Sequence, residues 1–139
     1  KENDVLMCLT GGTIGKIIKV GKVDESLVQN YRVGHFSPLN NNIINDYLFW
    51  FMSSSLTTSQ MFSEIRETGQ PNIGMEDFGK MRVILPPVSE QIEIVRHLEF
   101  KTKGIDDLVQ LEQKKIDLLK EYRQSLISEV VTGKIKVTN

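Results

Sequence analysis

The residues with the clearest chemical potential are three lysines that follow a glycine-rich segment. Thr10–Gly15 holds three glycines, and Lys16, Lys19 and Lys22 come after it, with no acidic residue at positions 5–23. Glycines let backbone N–H groups approach a phosphate closely, and lysine ammonium groups add attraction. The pattern is that of a phosphate-contacting hairpin, although an ordinary hairpin with a solvated lysine edge accounts for the same residues equally well.

The glycine-rich segment does not have the spacing of a nucleotide-binding P-loop. Gly15 and Lys16 resemble the end of that motif. However, Thr10 stands where the motif requires glycine, and Ile17 stands where it requires serine or threonine. A bound nucleotide is therefore not predicted.

Patterns typical of catalysis or metal binding are otherwise missing from the sequence. The two histidines, His35 and His97, are far apart, and neither stands at ligand spacing from Cys8. No Gly-x-Ser-x-Gly nucleophile elbow is present. The carboxylates of the last third alternate with lysines, as on a solvated helix face. We expect a binding protein that is not an enzyme and needs no metal and no cofactor.

Composition limits the size of the core and the kind of partner. The 139 residues are 40% hydrophobic and 25% charged, which fits one modest core plus an extension. The single cysteine, Cys8, excludes an internal disulfide, and a reducing, cytoplasmic location is expected. No apolar run is long enough to cross a bilayer, and no signal peptide is evident. The net charge of −1 means that nucleic-acid binding would depend on local segregation of charge.

Local patterns predict an α+β fold, in which a small mixed domain over residues 1–87 precedes a long helix over residues 88–133 and a tail over 134–139. The predicted elements of the domain are a hairpin of Asp4–Leu9 with Lys16–Val20, a strand at Tyr31–Phe36, helices at Tyr47–Ser53 and Thr58–Thr68, a helical turn at Glu76–Lys80 and a strand at Met81–Leu85. Asn45 or Asp46 is expected to cap the first helix, and Gly69 to stop the second.

The long helix carries an apolar seam at coiled-coil spacing. It begins near Ser89, and Gly104 could kink or divide it. The apolar members of the seam are Ile105, Val109, Ile116, Leu119, Leu126 and Val130. A helix of roughly 40 residues extends about 60 Å, farther than a small domain can cover. We expect the seam to pair with another helix, while docking on the chain's own domain is the alternative.

A series of short segments occurs in an order and spacing that resemble one known family. The segments are Asp4-Val-Leu-Met7, Thr10–Lys16, Val28-Gln-Asn30, Asn45-Asp-Tyr-Leu48, Thr68–Ile73, Ile84-Leu-Pro-Pro87, Glu90-Gln91, Leu118–Arg123 and Leu126–Lys134. Together they closely resemble the specificity subunit of type I restriction-modification systems, nearly from end to end.

The resemblance implies a function and an architecture. Residues 1–87 would belong to a target recognition domain that binds double-stranded DNA, and the long helix would be the conserved spacer, paired antiparallel in a coiled coil. Such subunits are non-catalytic scaffolds. They direct methyltransferase (modification) subunits and a restriction subunit to a bipartite DNA site.

Two departures from the family pattern leave alternatives open. The chain holds one recognition unit instead of two, and it begins partway through that unit. A half-subunit that forms a homodimer, or pairs with another specificity unit, fits the first departure. A truncated fragment fits the second. A fused DNA methyltransferase would need an Asn/Asp-Pro-Pro-Tyr/Phe motif, but the only Pro-Pro pair lies in Leu85–Val88. Besides the specificity scaffold and the fused methyltransferase, a degenerate remnant that only pairs its helix is the third class of function.

Within this resemblance, the polar residues of the first domain receive two roles. Lys16, Lys19 and Lys22 are assigned to phosphate contacts, which set affinity and salt dependence. The candidates for base-edge contacts are Arg32, Gln70 and Asn72, because a guanidinium fork or a side-chain amide can make paired hydrogen bonds in the major groove. Tyr31 and His35 are also types that stack on or read bases, although filling a small core is the favoured role for either one.

Overall fold

The computed structural model describes residues 1–25, 28–65 and 71–137. Residues 1–96 form one compact unit, and a second unit begins at His97. The elements, in chain order, are β1 (Val5–Cys8), β2 (Ile17–Lys19), β3 (Val33–Phe36), α1 (Asn45–Met52), α2 (Ser55–Glu64), α3 (Met75–Phe78) and α4 (Val88–Val131). The predicted α+β class is confirmed. None of the helices described is long and apolar enough to span a membrane.

The three strands form an antiparallel sheet in the order β2-β1-β3. Met7 lies opposite Ile17 on one side and opposite Gly34 on the other. The predicted hairpin is confirmed, and a bulge shapes its tip: Cys8 accepts a hydrogen bond from the N–H of Gly15 and donates one to the carbonyl of Lys16. Gly15 has a φ of 82°, which only glycine adopts readily.

The core of the first unit lies against one face of the sheet. Val5 and Met7 alternate along β1, Leu9 continues the alternation just after it, and all three are 4% exposed or less. Because side chains alternate between the faces of a strand, all three point to the same side. Met52, Met61 and Ile73 complete the buried cluster. This core includes Met52 at the end of α1.

The helix positions follow the prediction, but their ends differ. α1 begins at Asn45, so the expected caps Asn45 and Asp46 lie inside the helix, and no side chain caps it. α2 begins at Ser55, three residues before the predicted start, because the hydroxyl of Ser54 accepts the N–H of Thr57 at 3.4 Å. α2 ends at Glu64, short of Thr68. The expected stop at Gly69 lies outside the described residues.

The strand predicted at Met81–Leu85 is wrong. Side chains form hydrogen bonds with the backbone N–H and C=O groups that would otherwise pair with a neighbouring strand. The amide of Gln60 accepts the N–H of Arg82 at 2.7 Å and donates to its carbonyl at 3.2 Å. The hydroxyl of Tyr47 donates to the carbonyl of Ile84 at 2.8 Å. The segment is extended but has no strand partner among the described residues.

The long helix is confirmed. α4 begins one residue before the predicted Ser89 and continues through Gly104 without a break. The seam residues Ile105, Val109, Ile116, Leu119 and Leu126 are each at least 40% exposed, and Val130 is half-buried. Pairing of this seam with another helix, and the division at residues 87 and 133, stay predictions.

Candidate nucleic-acid interface

Three separate segments meet in a cleft at one end of the sheet. The cleft has a volume of about 180 Å³ and is lined by Thr10, Tyr31, Arg32, Pro71 and Asn72. We call it the recognition cleft. It brings together Arg32 and Asn72, two of the three residues predicted to contact base edges. The third, Gln70, lies outside the described residues.

The backbone beyond β1 positions the walls of the cleft. Leu9 donates its N–H to the carbonyl of Arg32 at 2.8 Å and accepts the N–H of Ile73 at 3.0 Å. Gly11 then donates to the carbonyl of Pro71 at 2.8 Å. Thr10 and Asn72 form an isolated antiparallel bridge. The end of the first strand therefore fixes Arg32 and Asn72 on one backbone edge.

Arg32 is held by its neighbours and stays exposed. Its Nε donates to the hydroxyl of Tyr31 at 3.3 Å, and its guanidinium carbon lies 5.6 Å from the centre of that ring. Its backbone N–H donates to Oδ1 of Asn30 at 3.0 Å. The hydrogen bond that Arg32 donates to Tyr31 raises the pKa of Arg32, which keeps its charge at every working pH. No carboxylate within the described ranges pairs with Arg32.

The three lysines have different surroundings. Lys16 and Lys22 are exposed on the hairpin. Lys19 lies opposite the buried Val5, so its side chain is on the core side of the sheet. There it forms an ion pair with Asp46, with Nζ 2.6 Å from Oδ1. Lys16 and Lys22 are therefore free to meet a phosphate, whereas Lys19 would first have to leave a carboxylate.

His35 is a residue type that can stack on bases, but it does not line the recognition cleft. Its Nε2 lies 2.9 Å from Oδ2 of Asp4. Asp4 also accepts a hydrogen bond from the terminal ammonium group of Lys1, and this bond is the main cause of the lowered pKa of Asp4. Within the described part of the chain, no group of three His, Cys, Asp or Glu residues could hold a metal ion.

Thr10, Tyr31 and Pro71 are the cleft residues that were not among the predicted contacts. The sequence indicates only that Tyr31 is a type that can stack on bases and that Thr10 belongs to the hairpin tip. The bridge between Thr10 and Asn72 joins residues that are distant in sequence. No local pattern signals such a pairing, so side-chain chemistry alone pointed to Arg32 and Asn72.

Residues 1–121 match the family described as Type I restriction modification DNA specificity domain. The chain belongs to this family. It is 27% identical over 142 residues to the type I restriction enzyme MjaVIII specificity subunit of Methanocaldococcus jannaschii, a match that covers 100% of this chain and 32% of that protein.

Two relatives from Escherichia coli match less of their own length. The EcoBI specificity subunit is 23% identical over 137 residues, covering 97% of this chain and 28% of the relative. The EcoKI specificity subunit is 28% identical over 98 residues, covering 70% of this chain and 21% of the relative. The chain thus spans about a third or less of the curated relatives that it matches.

Proposed function

We propose that this chain is a sequence-specific DNA-binding specificity subunit, or a unit of one, in a type I restriction-modification complex. It is a non-catalytic scaffold that directs methyltransferase and restriction subunits to a bipartite DNA site, in the cytoplasm and without a cofactor. The observation that carries the proposal is the recognition cleft, which is lined by both Arg32, without a carboxylate partner in the described ranges, and Asn72, in a member of the specificity family.

The contacts with DNA divide by chemistry. Arg32 and Asn72 contact base edges in the major groove, since each can form two parallel hydrogen bonds with one base. Lys16 and Lys22 contact phosphates, which position the duplex without reading its sequence. Lys19 and Gln70 belong to the same proposed surface. Lys19 is the weaker contributor because Asp46 competes with DNA for its ammonium group.

The division of labour along the chain follows the same proposal. Residues 1–87 are part of a target recognition domain, residues 88–133 are the spacer and pairing helix, and residues 134–139 are a tail. The exposed seam from Ile105 to Leu126 supports pairing of the helix with a second copy of this chain or with another specificity unit. Such pairing would supply the second recognition unit that a bipartite site requires.

A binding assay on the full chain together with its methyltransferase subunit tests this function. The probe is a pool of double-stranded oligonucleotides with randomised positions, and binding is measured over a salt series. We expect enrichment of particular sequences and affinity that falls steeply with salt. Lys16→Ala and Lys22→Ala should each lower the salt slope by about one. Lys114→Ala, an exposed lysine of the second unit, is the matched control and should leave the slope unchanged.

One further outcome would favour the remaining alternative. If the complex binds DNA without sequence preference or salt dependence, while the chain still associates through its long helix, the DNA-reading function is refuted. The exposed seam then supports a protein that acts only by pairing its helix.

A further inference from the structure

The arrangement of Tyr31 and Arg32 is unusual for two exposed side chains. Tyr31 is 81% exposed, so burial does not explain its position. An exposed arginine normally samples many rotamers, and fixing one of them costs entropy. Here the hydroxyl of Tyr31 accepts a hydrogen bond from Nε of Arg32 at 3.3 Å, and the ring lies beside the guanidinium.

The contact uses only one side of the guanidinium. Nε donates to Tyr31, while the two terminal nitrogens donate no hydrogen bond to any of the described residues. The backbone of Arg32 is fixed at both ends, by Asn30 through its N–H and by Leu9 through its carbonyl. The terminal nitrogens form a fork that matches two acceptors on one base edge.

Guanine is the base that fits such a fork. In the major groove it presents two acceptors, N7 and O6, and a bidentate arginine is the commonest specific contact to it. The neighbouring Asn72 and Thr10 add an amide and a hydroxyl to the same cleft, and both groups can hydrogen-bond an adjacent base edge.

We propose that Tyr31 is a positioning residue that aims Arg32 at a guanine of the target DNA. The inference rests on the proposed function of the chain. Tyr31 acts through Arg32: it lowers the entropy lost when the arginine engages the base, and it leaves the terminal nitrogens free. Tyr31 contacts Nε of the guanidinium and leaves the terminal nitrogens open, so it is Arg32 that contacts the base.

The test begins with the sequence that the wild-type complex selects from the randomised duplex pool. Each guanine of that sequence is then replaced, one at a time, by 7-deazaguanine, which has a C–H in place of the N7 acceptor. We expect one position at which this replacement weakens wild-type binding by about tenfold or more. At that position, Arg32→Ala should bind both duplexes equally.

Tyr31→Phe separates the positioning role from simple packing, because it keeps the ring and removes only the hydroxyl. We expect its discrimination between guanine and 7-deazaguanine to fall about two- to fivefold at that one position, with the salt slope unchanged. Tyr122→Phe and Arg82→Ala alter an exposed tyrosine and an exposed arginine outside the cleft, and should match the wild type.

The possible outcomes differ clearly. If Tyr31→Phe discriminates as well as the wild type at every guanine, the positioning role is refuted and the proposed function stands. If Arg32→Ala weakens all sequences equally and lowers the salt slope by about one, Arg32 contacts a phosphate and the inference is also refuted. If the wild-type complex selects no sequence, the proposed function fails, and this inference fails with it.

Discussion

Replacing Gln91 with leucine should destabilise the first unit by about 3 kcal/mol. Gln91 lies in the first turns of α4 and is fully buried, with 0% exposure. Its Nε2 donates to the carbonyls of Asn42 at 2.7 Å and Pro86 at 2.8 Å, and its Oε1 accepts the N–H of Ile44 at 3.0 Å. One side chain therefore joins the start of the long helix to the loop before α1.

The magnitude follows from the groups that lose a partner. Leucine fills a similar volume but can neither donate nor accept, so one backbone N–H and two carbonyls lose their hydrogen bonds. An unpaired buried polar group costs about 1–3 kcal/mol. Asn42 is exposed, and Ile44 and Pro86 are only half-buried, so water can reach part of this site. The lower end of the range, about 1 kcal/mol for each group, is therefore appropriate.

Urea unfolding measures this effect. Trp50 is the only tryptophan and lies in α1, so its fluorescence reports on the first unit. The Gln91→Leu variant should unfold at a lower urea concentration with an unchanged slope. Gln113→Leu is the matched control, because Gln113 lies on the same helix but is exposed, and among the described residues its side chain hydrogen-bonds only to Asp117. Its free energy of unfolding should change by less than about 0.5 kcal/mol.

The Gln91→Glu variant adds a pH signature to the same test. A carboxylate can still accept the N–H of Ile44, but its second oxygen would face the carbonyls of Asn42 and Pro86. Burial and these acceptors should raise the folded-state pKa of the new carboxyl above its unfolded value of about 4.3. The variant is then most stable relative to wild type below that pH, and it loses stability as the pH rises. A Gln91→Leu variant as stable as wild type would refute the structural role assigned to this amide.

Three further predictions concern other parts of the molecule. Gly34→Ala should cost about 1–3 kcal/mol, since the new Cβ would lie 2.7 Å from a phenylalanine ring, whereas Gly12→Ala has open space and should be tolerated in the same urea assay. Leu119→Asp combined with Leu126→Asp should reduce the mass in light scattering to that of a monomer while leaving Trp fluorescence unchanged, and an unchanged mass would contradict the seam assignment. Burial raises the pKa of Tyr47, so stability should fall as pH rises above about 10, and Tyr47→Phe should make that fall smaller in pH-dependent unfolding.

Local patterns predicted most of the secondary structure of the first unit. The hairpin follows from two apolar runs around glycines, and the structure has a positive φ at Gly11 and Gly15. The segment Met81–Leu85 shows where such patterns fail. Its residue types favour a strand, but a strand needs a partner, and distant side chains of Gln60 and Tyr47 take its backbone groups instead.

The candidate site was only partly predictable. Residue chemistry selected Arg32 and Asn72 as candidates, but their meeting in one cleft depends on long-range pairing at the end of β1. Charge alone grouped Lys19 with Lys16 and Lys22. The two-residue period of the hairpin would have separated them, because Lys19 shares a face with the buried residues of the sheet. The ion pair of Lys19 with Asp46 could not be predicted without knowing where α1 packs, and local sequence patterns do not give that position.

The second unit gives the strongest physical argument for a partner helix. No residue is buried between His97 and Val137, although apolar side chains recur along this part of α4. Most helix stability in proteins comes from packing of an apolar face. Ion pairs such as Lys120–Asp117 are exposed and add little. Burial of the seam against a second helix would provide the missing stability, and the Leu119 and Leu126 variants test that burial directly.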